Sequence, residues 1–330
     1  MKKIKPIEKM VISGLDMDGR KPFSRLGKTI RKSQQQVSYT TKTLIKRGII
    51  KGFYPVIDYS KLDVINFRVY FKMSYFNKKN YLRLIDYLIK EPHTSWIASC
   101  GGPYDLLCTF FAKNPSQFNK KLKEIMSKFP RQLENYTILT TIVYRKFGLK
   151  YLSRKPKKEI IFGGDREPEN VDMTDLKIMN ELSRDGRKSS TDIAEEIGVT
   201  AKTVIDRMRK LNKRRILLGF SPLIEPRKMG YVSGLLLLRY HNMTPEVEDK
   251  ITMFLKSHPN VTWISKTIGE WDVEVFIHAN DFMKLRNIEM RIRQHFSSFI
   301  QKTESIPIYE NFKKNFFPEF LISNGEQVAD

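Results

Sequence analysis

Three consecutive glutamines, Gln34, Gln35 and Gln36, are followed by Ser38, Tyr39, Thr40, Lys42, Lys46 and Arg47 in the stretch "KSQQQVSYTTKTLIKRGIIKGF". A glutamine amide pairs bidentately with the N6 and N7 edge of adenine, and hydroxyls bond bases or phosphates. The lysines and arginine would neutralise phosphates, adding affinity without sequence information. The chemistry open to this pattern is therefore recognition of a polyanion, with no bond made or broken. The element that carries the residues decides whether they can do it.

A repeat identifies that element. "DGRK" at Asp18 recurs at Asp185, and the offset, 185 − 18 = 167, then holds without a gap. Ile30 meets Ile197, Leu44 meets Leu211, Trp96 meets Trp263, and Asp105 meets Asp272, one register over more than ninety residues. The chain reads as a tandem duplication. In the second copy Leu176, Met179 and Leu182 share a helical face, Ser189 and Thr200 stand at N-cap positions, and Val204, Met208 and Leu211 form an inward stripe. Thr200, Lys202, Thr203, Asp206, Arg207 and Lys210 fall at the cap and on the outer face of that third helix, where the offset also places the glutamines. "ILLGFSPLIEP" predicts a hairpin around Gly219. Three short helices and a hairpin make a winged helix-turn-helix, whose third helix lies in the major groove with its N-terminal residues on base edges.

Each copy continues as strand, helix, two strands, helix, strand. The periodicity predicts residues 66–73, 79–90, 94–99, 105–112, 116–129 and 135–145, then 234–240, 245–257, 261–267, 272–279, 281–296 and 302–309. This βαββαβ order is ferredoxin-like, an antiparallel sheet with helices on one face. The other face needs cover, which a second copy in the same chain could provide. The expected class is α+β: winged helix-turn-helix domains at 1–60 and 171–227, ferredoxin-like domains at 61–152 and 228–315, a linker at 153–170 and a C-terminal tail at 316–330.

Charge agrees with a polyanionic partner. Of 59 Lys+Arg and 36 Asp+Glu, 32 and 10 lie in residues 1–155, leaving 27 and 26 in the remainder, so nearly all of the net +23 sits in the first half. No apolar run is long enough for a membrane span, and the basic start lacks the apolar core of a signal peptide. The expected setting is cytoplasmic and nucleoid-associated. Cys100 and Cys108 fit no metal or redox spacing, and no catalytic constellation, metal site or cofactor motif stands out.

A winged helix-turn-helix followed by βαββαβ, with G-x-x-D between the second and third strands, resembles the leucine-responsive regulatory protein/AsnC (feast/famine) family of transcription regulators. The carrying residues are "DLKIMNELSRDGRKSSTDIAEEIGVTAKTVIDRMRKLNKRRILLGF" and "PNVTWISKTIGEWDVEVFIHA", with "LIKRGIIKGFYPVIDYSKL" and "SCGGPYDLLCTFFA" in the first copy. Gly27 and "KSQQQ" depart from the usual small-residue turn. The resemblance implies binding of double-stranded DNA, pairing within the chain or as a homodimer, and a small effector, often an amino acid, in the ferredoxin-like domains. Carried over, its effector residues are Ser99, Gly101, Gly102, Tyr104 and Asp105, and Lys266, Thr267, Gly269, Trp271 and Asp272. The same Gly and Asp residues also suit a plain turn, with Asp bonding backbone amides. Trp96 and Trp263 read as core or sheet-interface residues.

Two rivals share these features. Siroheme decarboxylases carry the same tandem architecture as enzymes, and "YHNM" at Tyr240 invites comparison, yet His241 faces Ser74 across the repeat. An architectural DNA-binding protein would explain the charge but not the base-capable residues from Gln34 to Thr40.

Overall fold

In the computed structural model, which describes residues 4–74, 77–153 and 159–323, helices form where an apolar stripe follows a capping position. α1 (Pro6–Leu15), α2 (Phe23–Ile30) and α3 (Gln34–Lys46) bury Ile12, Leu15, Leu26, Val37 and Leu44 against one another. β1 (Ile50–Ile57) leads into β2 (Ile65–Met73), α4 (Lys78–Lys90), β3 (Thr94–Cys100), β4 (Leu106–Ala112), α5 (Pro115–Lys128) and β5 (Leu133–Lys146). After α6 (Lys150–Ser153) and β6 (Ile160–Gly163) the order recurs. α7 (Met173–Arg184), α8 (Ser190–Ile197) and α9 (Ala201–Lys213) precede β7 (Leu217–Ile224), β8 (Val232–Tyr240), α10 (Pro245–Ser257), β9 (Val261–Gly269), β10 (Val273–Ala279), α11 (Phe282–His295) and β11 (Ile300–Lys314). α12 (Phe320–Ser323) closes the described chain. Adding 167 to the bounds of α3, β1, β2 or α5 gives those of α9, β7, β8 or α11.

The expected hairpin is not there. β7 is one strand, paired antiparallel with β1 from Ile57↔Leu217 to Ile50↔Ile224. A single glycine between apolar runs supplies no two-residue turn. Both runs stay extended, and Gly219 sits opposite Val56 beside a register shift.

The repeated DGRK motif clasps this ribbon from both sides. Gly19 N–H donates to Phe220 O and Gly186 N–H to Phe53 O, each at 2.8 Å. Arg20 Nη1 donates to Gly186 O at 3.0 Å, and Arg187 Nη1 returns a bond to Gly19 O at 2.6 Å. A Cβ on Gly186 would lie 2.7 Å from the Phe53 backbone, so the approach requires glycine.

The strand order β2-β4-β3-β11-β8-β10-β9-β5, with β5 also paired to β2, closes eight strands into a ring, and β6 extends from β5. β5 and β11, of 14 and 15 residues, each pair within their own half and also with the other half's β9 or β3. The faces left bare by the helices thereby meet, enclosing Tyr70, Trp96, Leu107, Leu235, Phe276 and Ile306. α4 and α5 cover one outer face, and α10 and α11 the other.

The expected tail and linker are also structured. Phe317 and Phe320 are fully buried against the core of α7, α8 and α9, because two apolar rings complete a small helical core. Residues 324–330 lie outside the described part. Within the expected linker, apolar residues 160–162 take up the edge of β5, Gly163 N–H donates to Asp58 Oδ1 at 2.8 Å, and Glu169 pairs with Lys61 and Arg214. Residues 154–158 of that linker lie outside the described part.

One charged pair joins the halves through the ring interior. Arg68 of β2 and Glu274 of β10, 1% and 0% exposed, place Nη1 and Oε2 3.2 Å apart, and Tyr70 and Ser265 donate to the same carboxylate. The positions related by 167, Leu235 (68 + 167) and Leu107 (274 − 167), are buried apolar residues. Removing one partner of a buried pair strands the other charge, at a cost of about 3–5 kcal/mol, whereas an apolar replacement of both is often neutral. Glu274→Ala is therefore expected to lose about that much unfolding free energy in a urea titration. Arg68→Leu with Glu274→Leu should recover most of it; a single variant as stable as the parent would refute the account.

Candidate nucleic-acid interface

Ser33 starts α3 with a reciprocal cap: its Oγ accepts from Gln36 N–H at 3.1 Å, and Gln36 Oε1 accepts from Ser33 N–H at 3.2 Å. Gln36 is thus partly committed to the helix, while Gln34 and Gln35 stand exposed. Gln35, Tyr39, Lys42 and Lys46 share one exposed face by their i, i+4, i+7, i+11 spacing, with Tyr39 75% exposed. The helix contains no acidic residue, and neither lysine has an ion-pair partner among the described residues. Ser38 is half-buried.

Two expected contacts are corrected. Thr40 belongs with Val37, Thr41 and Leu44 to the buried face, is 7% exposed, and cannot reach a base. Arg47 bonds the buried Glu8 of α1 at 2.5 Å, so it fastens α3 to α1 rather than standing free for phosphate.

α9 presents a different surface. Thr200 Oγ1 accepts from Thr203 N–H at 3.1 Å, a cap that uses both residues. Arg207 is held by Asp172 and, at 3.3 Å, by Asp175, and Asp206 engages Arg209 at 3.4 Å. Lys202 and Lys210 remain exposed and unpaired among the described residues. The two helices are thus equivalent in position and unlike in charge.

The departure at the first copy's turn has a backbone cause. α8 ends on Gly198 at φ 73°, whose N–H bonds Ala194 O; α2 ends on Arg31 at φ 55°, whose N–H bonds Gly27 O. A side chain at this left-handed position costs about 1–2 kcal/mol. Glycine has instead moved to position 27, where a Cβ would lie 2.5 Å from Lys32 O.

At the G-x-x-D loops, both aspartates serve the fold. Asp105 Oδ2 accepts from Met73 N–H at 2.8 Å and pairs with Lys72, and Asp272 Oδ2 accepts from Tyr240 N–H at 2.7 Å and pairs with Arg239. Each ties its loop to the end of β2 or β8, with Gly102 and Gly269 at positive φ. Trp271, 1% exposed, enters the ring interior, where its large apolar surface is covered, and the buried Thr267 donates to Trp271 O. Neither is open to a ligand at the loop. Tyr104 bonds Thr137, Lys266 pairs with Glu248, Gly101 packs against Tyr309, and Ser99 is half-buried. His241 is exposed beside Asn242, apart from any other histidine contact among the described residues.

A family model for the AsnC-type helix-turn-helix domain matches residues 171–212. The HTH-type transcriptional regulator Ptr1 of Methanocaldococcus jannaschii is 30% identical over 115 residues, 35% of this chain and 76% of that protein. The chain belongs to the Lrp/AsnC family. The regulatory protein AsnC of Haemophilus influenzae is 24% identical over 146 residues, 43% of this chain and 93% of its own. Such relatives thus correspond to less than half of this chain. The siroheme decarboxylase NirDL matches 98% of this chain and 99% of its own with a TM-score of 0.62 at 13% identity, a likeness of fold across both halves. Among the described residues no helix is long and apolar enough to cross a membrane.

Sequence reasoning passed over one set of polar groups. Arg68, Lys146 and Lys314 gather at the end of the ring that faces the β1–β7 ribbon. The available signal was Arg68 as a cation set between Phe67 and Val69 in the mostly apolar run of β2.

Because Asp272 holds a part-buried bond to Tyr240 N–H, Asp272→Ala should lower the stability of the unliganded protein by about 0.5–1.5 kcal/mol, the net worth of such a hydrogen bond. Chemical denaturation checks this. An unaltered midpoint would return the residue to a purely ligand-binding role.

Proposed function

We propose that the chain is a sequence-specific, double-stranded-DNA-binding transcription regulator built from two fused Lrp/AsnC-type copies, working in the cytoplasm with α3 as the main reading head. The observation that carries this is the acid-free outer face of α3, where Gln34, Gln35, Tyr39, Lys42 and Lys46 are exposed and uncommitted. A helix of this kind combines base-edge readers at its start with phosphate-neutralising lysines further on. Membership of a family whose named relatives are HTH-type regulators supports it, as does the concentration of positive charge in residues 1–155.

α3 and α9 are held in one chain by the β1–β7 ribbon and share the outward lysine at Lys46 and Lys213 but differ along the rest of the outer face, so one molecule presents two unlike readers. The operator should lack palindromic symmetry. Structural use of Asp105 and Asp272 supports the turn role for those residues and directs the search for an effector elsewhere.

A second reading, an enzyme acting on a tetrapyrrole, is supported by the whole-chain fold likeness to siroheme decarboxylase, of which a complex with an iron-uroporphyrin III analogue is known. A pure architectural role is the third.

Selection from a random DNA pool separates the three. The parent chain should enrich one asymmetric motif that degrades in a Gln34→Ala, Gln35→Ala variant. Lys42→Ala with Lys46→Ala should weaken all sequences alike and flatten the salt dependence by about two phosphate contacts, roughly 0.9 in log–log slope each. Lys202→Ala with Lys210→Ala should do less. Salt-sensitive binding without enrichment would favour the architectural role, and absence of binding the enzymatic one.

A further inference from the structure

We propose that the end of the ring beneath the ribbon is a binding site for a small aromatic carboxylate. A cavity of about 90 Å³ lies there, walled by the ribbon, both sheets and β6, with Tyr54, Trp96, Tyr144, Phe162, Trp263 and Phe316 supplying aromatic surface. Three of its lining residues carry buried polar atoms with no hydrogen-bond partner: Arg68 Nε, Tyr59 Oη and Thr109 Oγ1. These residues are 1%, 3% and 2% exposed. Buried donors are normally satisfied, and orphans gathered on one cavity point to a missing partner.

The partner's charge follows from the cations. Arg68 lies 4.8 Å from the Trp96 ring and 5.4 Å from the Trp263 ring, and its one carboxylate, Glu274, is already bonded by Tyr70 and Ser265. Lys314 packs 5.3 Å from the Trp96 ring with no hydrogen bond or ion pair among the described residues. Burial pulls its ammonium down to about 8, and Lys146 and Arg68 push the same way. Lys146 reaches Tyr54 Oη at 3.2 Å and Ser221, with Asp16 only at 3.9 Å. Three cations, Arg68, Lys146 and Lys314, face Glu274 and the more distant Asp16, an excess of one positive charge that a bound anion would neutralise.

The fold itself does not require these charges. Leu235 and Phe147 stand at the positions related by 167 to Arg68 and Lys314 (314 − 147 = 167), and both are buried in apolar cores. The same architecture therefore accepts hydrocarbon at both places. Aromatic walls select a flat ligand that stacks and tolerates adjacent cations. One water needs about 10–15 Å³ of such space, so the cavity takes about six to nine water-sized groups, the size of a benzoate and far below a tetrapyrrole. The site does not rest on DNA binding; only an effect on DNA affinity, through the ribbon strand that walls it, would.

Benzoate is the probe, titrated into the full chain by calorimetry and by the fluorescence of Trp96 and Trp263, with neutral benzamide and aliphatic acetate as comparators. Benzoate should bind with a change in emission, and both comparators at least about tenfold more weakly, 1.4 kcal/mol or more. Lys314→Met should fold with equal or higher melting temperature and lose at least about tenfold in benzoate affinity. Equal binding of benzamide, no binding of benzoate, or full affinity in Lys314→Met would each overturn the proposal. Saturable binding of uroporphyrin III with benzoate silent would overturn its size and favour the enzymatic reading instead.

Discussion

A four-stranded antiparallel sheet with helices on one side leaves an apolar face that water must not reach. Everything larger in this molecule depends on how that face is covered. The answer is hydrogen-bonded as well as apolar: β5 and β11 are long enough to pair first within their own half and then with the other. Closing the ring removes most of the open strand edges that would otherwise invite association, and β6 occupies part of what remains. It also holds the helix-turn-helix elements at one end, where the β1–β7 ribbon and the paired DGRK clasps fix them to each other.

Pseudo-symmetric closure does not oblige the halves to be chemically alike, and they are not. The backbone positions of α3 and α9 correspond residue for residue and both present free lysines, yet one adds amides and a tyrosine where the other adds arginines paired with Asp172 and Asp206. Inside the ring the contrast is sharper. Arg68 and Glu274 meet where the related positions hold Leu107 and Leu235. Apolar pairs make the stronger core in general, because a buried ion pair must recover its desolvation from geometry and extra hydrogen bonds. Here Tyr70, Ser265 and Tyr144 provide those bonds, so the polar side of the ring persists at a cost that the apolar side avoids.

This asymmetry links the two sites discussed. The proposed ligand cavity shares its ribbon wall with the elements that hold α3 and α9 in place, so a ligand there and the placement of the two helices would act on the same strand. Small changes at a packed junction of this kind move whole elements, since close-packed interiors do not deform smoothly.

By itself the sequence determined the α+β class, the approximate bounds of the helices and strands of each copy, and most of the outward face of α3 and α9, Thr40 excepted. Those features depend on local periodicity, capping and turn chemistry, all written within a few residues. The tertiary structure alone decided the partners. A strand expected to fold back on itself paired with its counterpart instead, because hydrogen-bonding edges are satisfied by whatever comes near. Arg47 and Arg207 left the expected DNA surface for Glu8 and Asp172, and Trp271 and Thr267 left the expected ligand loop for the interior. The cluster of Arg68, Lys146 and Lys314 was illegible for the same reason: its members are 78 and 168 residues apart in sequence (146 − 68 and 314 − 146) and meet only when the ring closes.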